Sequence, residues 1–283
     1  MIKKHRQHLK TRISKPFNKL SKYQEDVARE ASNMIWEIIL KKYPELYFNN
    51  LNTLGLKEFN ASHAIEYINR GFRTKNKTFF LQKKEILQAF DSAGGIRPDG
   101  GIFFVRAKKD GFDHMIGSIE VKHQGEYNGY TPISNSEWIK RKKDISIHRE
   151  DRPPQAQGNA VERFAKNANA IKTLTSFYGY NPYVVFCEGF DFFLKKDFDI
   201  FRKQKYSKKF EGKDSSILMR LIAGNDWLPL NKIYVDCIEH GETKICPATI
   251  FARMSKWKKE EIVEIMLKVI DKSIIILRKI GEI

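Results

Sequence analysis

The run Tyr183-Val184-Val185-Phe186-Cys187, opened by Pro182, is apolar at every position and has no face to turn toward water. A strand of that kind sits in the middle of a sheet and needs cover on both sides, which predicts an α/β architecture. Helices to supply the cover can be read nearby. Ser21 and Gln24 form a capping box, after which Val27, Ala31, Met34, Ile35, Ile38 and Ile39 recur on one helical face as far as Pro44. Asn159 is placed to cap a helix whose stripe is Ala160, Phe164, Ala168, Ile171 and Leu174. Ser255 is placed to cap a last helix carrying Ile262, Ile265, Met266, Val269 and Ile270. Two further helices are expected near 57–70 and 82–91. Ile102 to Ala107 and Met115 to Lys122 read as strands joined by the turn Lys108-Lys109-Asp110-Gly111, hence a hairpin, and 232–238 and 244–251 as further strands.

The chain has 283 residues, 41% hydrophobic and 12% aromatic, enough for one sizeable core, and a single domain is expected over 21–283. Residues 1–20 hold seven lysines and arginines and no acidic residue, which reads as a basic arm. Lysine and arginine total 51 against 34 acidic residues, a formal net charge of +17. Such an excess repels itself unless a polyanion neutralises it, so nucleic acid is the expected partner, although charge does not separate DNA from RNA. Residues 123–157 are a long, charged excursion ending in Pro153-Pro154. Residues 195–213 interleave lysines with Phe198, Phe201, Tyr206 and Phe210, which suits either nucleic-acid contact or an ordinary amphipathic surface. Cys187, Cys237 and Cys246 lack CxxC spacing and read as structural thiols, so neither a disulfide framework nor a zinc site with His240 is expected. No apolar run is long enough for a membrane span or a secretion signal, and a cytoplasmic protein is expected.

The chemistry concentrates in the hairpin. Glu120 and Lys122 are two apart on a strand and therefore project to the same face. Asp99, between Pro98 and two glycines at the entrance to the neighbouring strand, can bring its carboxylate close to Glu120. Two carboxylates, with the main-chain carbonyl of Val121, suit a magnesium ion. Such an ion would offset charge developing on a phosphate during phosphodiester hydrolysis. Lys122 would orient the attacking water and neutralise phosphate charge, since its carboxylate neighbours oppose the lowered pKa that a base needs. By spacing alone, a plain surface hairpin stays open as the alternative.

Four runs together resemble the EcoRI-type restriction endonucleases of the PD-(D/E)xK nuclease superfamily. They are Arg97-Pro98-Asp99-Gly100-Gly101-Ile102, Glu120-Val121-Lys122-His123-Gln124-Gly125, Gly158-Asn159-Ala160-Val161-Glu162-Arg163 and Pro182-Tyr183-Val184-Val185-Phe186-Cys187-Glu188-Gly189. The resemblance implies a central mixed sheet, of five-stranded type, flanked by helices, with arms that wrap DNA. It also implies a homodimer that uses magnesium to cut both strands of a short palindrome, with Asp99 and Glu120 on the metal and Lys122 in catalysis. A cognate DNA methyltransferase in the same cell would protect the host site. Asn159, Ala160, Glu162 and Arg163 match the run that reads an AATT core in the family, and an amide and a guanidinium suit adenine and purine edges. Gln155 and Ala156 stand where the family contacts the outer base pair through apolar groups. Arg220 keeps one downstream arginine, whereas Ala223 replaces a second and removes donors suited to guanine. The expected site is therefore AATT with altered or relaxed flanks. A nuclease of the same superfamily without sequence preference, or a non-catalytic nucleic-acid-binding regulator, is the competing expectation.

Overall fold

A computed structural model describes residues 2–54, 56, 59, 61–74, 95–125, 133–148, 151, 164, 167, 168, 170, 171, 174, 175, 178–192, 194, 233–236 and 250–283. Its strands are β1 (Tyr47–Asn50), β2 (Ile102–Arg106), β3 (Asp113–His123), β4 (Tyr183–Glu188), β5 (Ile233–Asp236) and β6 (Ile250–Arg253). The helices with defined ends are α1 (Ile2–Lys42), α2 (Ala61–Thr74), α3 (Asn135–Lys143) and α4 (Lys259–Lys279). One sheet takes the order β1-β2-β3-β4-β6-β5. β1, β2 and β3 run antiparallel, and β3, β4, β6 and β5 run parallel, so β3 belongs to both halves. This is the expected mixed α/β sheet, with β1 as a sixth strand at its antiparallel edge.

The all-apolar run became β4, in the middle of the sheet and buried at all six positions. One face of the sheet carries α1 and α4. Ala28, Ala31, Ile35 and Ile39 of α1 and Ile262, Ile265, Met266, Val269 and Ile270 of α4 are buried there. Gly117 of β3 lets α4 approach, because a Cβ at that position would lie 3.0 Å from Cγ1 of Ile270. On the other face, Phe164, Asn167, Ala168, Ala170, Ile171, Leu174 and Thr175 are helical and buried, which matches the expected stripe in those turns. The Phe164 ring packs at 6.0 Å from that of Tyr183.

The hairpin contains a register shift between Phe103 and Phe104, where Phe103 faces Gly117 and Phe104 faces Met115. Tyrosine hydroxyls serve the backbone beside this irregularity. The Met115 N–H donates to Tyr67 Oη at 2.5 Å, and Tyr180 Oη donates to the Met115 carbonyl at 2.5 Å. Buried main-chain groups need such partners.

Several expectations are corrected. α1 does not start at a Ser21 cap: it runs from Ile2, so residues 2–20 have helical backbone continuous with the packed part. The lysines and arginines of that segment are good helix formers, and a mid-helix serine costs little against them. The last helix is not capped by Ser255. Its N-cap is Lys258, whose N–H donates to the Glu261 carboxylate at 2.9 Å. The same carboxylate is gripped by Arg253, which fixes the helix start three residues later than the serine predicts. The excursion after β3 contains α3, capped by Ser134, whose Oγ accepts from the Glu137 N–H at 3.3 Å. The expected helices near 57–70 and strand 232–238 correspond to α2 and β5; 82–91, 195–213 and most of 244–251 lie outside the described residues.

Candidate active site

The Pro98–Gly101 turn is stitched to β3. Gly101 N–H donates to the Pro98 carbonyl at 3.1 Å, Gly100 N–H to the Ile119 carbonyl at 2.9 Å, and Ile119 N–H to the Gly101 carbonyl at 3.2 Å. Glycine is required at 100, since a Cβ there would lie 2.7 Å from the Ile119 Cβ. Drawn this close, Asp99 Oδ2 accepts from the Val121 N–H at 3.3 Å and from Lys122 Nζ at 3.0 Å.

Glu120 and Lys122 share the sheet face opposite α1 and α4, as alternation on a strand dictates. The two residues are directly ion-paired, and Lys122 Nζ also donates to the Val121 carbonyl at 3.1 Å. Asp99 Oδ2, Glu120 Oε1 and Val121 O thus converge on one positively charged atom. Glu120 is only 2% exposed. Its second oxygen, Oε2, accepts from Asn167 Nδ2 at 3.3 Å. Asn167 was missed in the sequence, where a polar residue within an apolar stripe was its only signal.

Burial pushes the Glu120 carboxyl up to about 7, with the Asp99 charge adding to the rise and Lys122 opposing it. Burial alone would lower the Lys122 pKa, but Glu120 and Asp99 outweigh it and hold the ammonium above its usual range. A lysine so placed is protonated at neutral pH and offers a fixed positive charge, not a base. Cys187 stands beside this pocket on β4 as a buried thiol whose pKa burial raises, as a structural cysteine should be.

Two carboxylate oxygens and a carbonyl oxygen around a single cationic atom are the donor chemistry of a hard divalent ion, so these residues fit magnesium. No group of three or more His, Cys, Asp or Glu side chains suited to a metal occurs among the described residues, and this pocket brings together two carboxylates, those of Asp99 and Glu120. Among the residues expected to read DNA, Gln155, Ala156, Asn159, Ala160, Glu162, Arg163 and Arg220 all lie outside the described residues, as do Cys237, His240 and Cys246. No helix among the described residues is long and apolar enough to cross a membrane.

Comparison with known proteins points to one family. Residues 11–281 match a protein family described as restriction endonuclease EcoRI. The chain is also 28% identical over 218 residues to the type II restriction enzyme EcoRI of Escherichia coli, an alignment covering 76% of this chain and 69% of the relative.

Proposed function

The chain belongs to the EcoRI restriction endonuclease family, and from that premise we propose that it cuts both strands of a short palindromic DNA site with magnesium, using Asp99, Glu120 and Lys122. A type II restriction endonuclease is a site-specific deoxyribonuclease, and that activity is the one the family carries. The observation that carries the site assignment is the convergence of Asp99 Oδ2, Glu120 Oε1 and Val121 O on the Lys122 ammonium. Asp99, Glu120 and the Val121 carbonyl would hold Mg2+, which when bound offsets the charge that builds on the scissile phosphate. Lys122 donates to a phosphate oxygen and orients a water for in-line attack. Asn167 fixes the Glu120 carboxylate from the helix behind it.

Asn159, Glu162 and Arg163 precede that helical stretch in sequence and supply the donors and acceptors that read an AATT core in the major groove. Gln155, Ala156, Arg220 and Ala223 leave the flanking pair altered or relaxed. Cutting both strands of a palindrome suits two such sites related by a two-fold axis, hence a homodimer, and a cell holding such an enzyme needs a methyltransferase that marks its own copies of the site.

The test is digestion of a duplex library with randomised sequence in Mg2+, followed by sequencing of the ends. Ends sharing AATT are expected, with varied flanks and no cutting by Asp99→Ala; calcium should permit binding without turnover. Cuts without a common sequence would favour a non-specific nuclease, and unimpaired cutting by Asp99→Ala would overturn the site assignment.

A further inference from the structure

Among the described residues, Ile145 alone combines a side chain with a positive φ, at 55°. A β-branched residue is strained in this left-handed conformation, because Cβ and its substituents crowd the neighbouring carbonyl. Burial does not compensate, for Ile145 is 91% exposed.

The surrounding turn over-determines the conformation. At the end of α3, Asp144 N–H donates to the Lys140 carbonyl and Ser146 N–H to the Arg141 carbonyl, both at 3.0 Å. The Arg141 guanidinium binds Glu137 and, at 2.7 Å, Asp151, and Asp151 in turn accepts from the His148 N–H at 3.0 Å. A large apolar group is thereby presented to water from a hydrogen-bonded turn. Ile139 and Ile147 of the same segment are also exposed. Lys140, Lys142 and Lys143 are exposed and have no carboxylate partner among the described residues. The segment lies in the crossover from β3 to β4, which leaves the sheet at the end of β3 that carries Glu120 and Lys122.

We infer that Ile145 is a wedge that presses against sugars and base edges in a groove of duplex DNA, with Lys140, Lys142 and Lys143 on the flanking phosphates. The inference rests on the reading given under Proposed function. An exposed apolar side chain that follows three exposed lysines in one short segment asks for a partner that offers apolar surface between rows of anions, and a nucleic-acid groove offers both. Backbone strain retained at an exposed position is a mark of a contact residue.

Ile145→Gly tests the wedge. Glycine accepts positive φ, so the free variant should melt at a higher temperature than the parent. In calcium its affinity for duplex DNA should nevertheless fall about tenfold, with the salt slope unchanged. Lys142→Ala with Lys143→Ala should instead flatten the slope of log affinity against log salt by about 2. Ile145→p-benzoylphenylalanine should crosslink to duplex DNA on irradiation. Crosslinking to a second protein chain instead, or Ile145→Gly binding as tightly as a parent that itself binds, would remove the inference alone. A parent that neither binds nor cuts duplex DNA would remove the reading on which it rests.

Discussion

β3 carries a charged cluster near each end, and the two are built on opposite plans. At its start, Arg70 of α2 forks between Asp110 and Glu282, meeting Glu282 through Nε at 3.3 Å and Nη2 at 2.9 Å. Arg106 holds Asp113 in the same way, through Nε at 3.1 Å and Nη2 at 2.9 Å. At its far end a single ammonium, that of Lys122, is shared by two carboxylates and a carbonyl. A planar fork fits its carboxylates and is not exchangeable, whereas three oxygens around a point charge can be taken over by a different cation. The first plan holds α2 and the C-terminus to the hairpin. The second suits a site that must accept metal and phosphate.

Neutralising one charge at each end separates the plans, and the largest effect is expected at the far end. Glu120→Gln should lower cleavage by about 10³-fold or more, because on the proposed function it removes a metal carboxylate. Its melting temperature should stay level or rise, since a carboxyl already pushed up to about 7 loses nothing by becoming a neutral amide. Gel assays of nicking and a thermal melt check both halves. A large fall in stability with cleavage intact would reverse the assignment of the two ends.

Arg70→Met should do the opposite. Glu282, with its side chain 9% exposed, would keep its charge and lose its main partner, costing about 3 kcal/mol of folding stability by denaturant titration. Cleavage per folded molecule should not change. Arg70→Lys should recover only part of the loss, since one ammonium cannot replace two separate donors.

The two clusters also differ in how far they can be read from sequence. Asp99, Glu120 and Lys122 lie within one hairpin, so strand alternation and a turn motif bring them together. Arg70 and Glu282 are 212 residues apart and meet only because α2 and the chain end pack on the same edge. No periodicity carries that information. The same contrast divides the elements. β2, β3, β4 and the stripe of α4 are legible because apolar residues fall at the spacing of each element. β1 is not: its buried Asn49 is held by a hydrogen bond to Asp113 at 2.7 Å rather than by apolar character. α3 is not either, since a serine cap and the Arg141 ion pairs stabilise it in place of an apolar face.

A titration probes the first cluster by itself. The His114 ring sits among Tyr67, Phe112 and Tyr178, and its Nε2 lies 3.1 Å from Glu282 Oε2 without hydrogen-bond alignment. Burial lowers its pKa from 6.5 to about 4, against the pull of Glu282. The unfolded chain therefore binds more protons than the folded one between those values. The contribution of His114 is fully present above pH about 6.5 and is lost as pH falls toward 4, by about 3 kcal/mol. His114→Phe should flatten that limb in denaturant titrations run from pH 7 to pH 4. An unchanged limb would mean the imidazole is charged in the fold.

Asn167 tests whether the far end needs support beyond its own strand. Its amide donates to Glu120 Oε2 at 3.3 Å, so it positions a carboxylate without touching the reacting atoms. Asn167→Ala should therefore raise the magnesium concentration for half-maximal cleavage by about tenfold, the usual effect of losing an outer hydrogen bond to a metal ligand. KM for DNA should hold, because the amide faces the carboxylate and not the duplex. A merely structural asparagine would lower the melting temperature and leave the metal dependence alone. Asn167→Asp separates the cases further, since a third carboxylate would repel Glu120 and cut less well than alanine despite its similar size. If asparagine and alanine proteins share one magnesium curve, Glu120 is positioned by Lys122 and Asp99 alone, and the far end of β3 is as self-contained as its sequence spacing suggests.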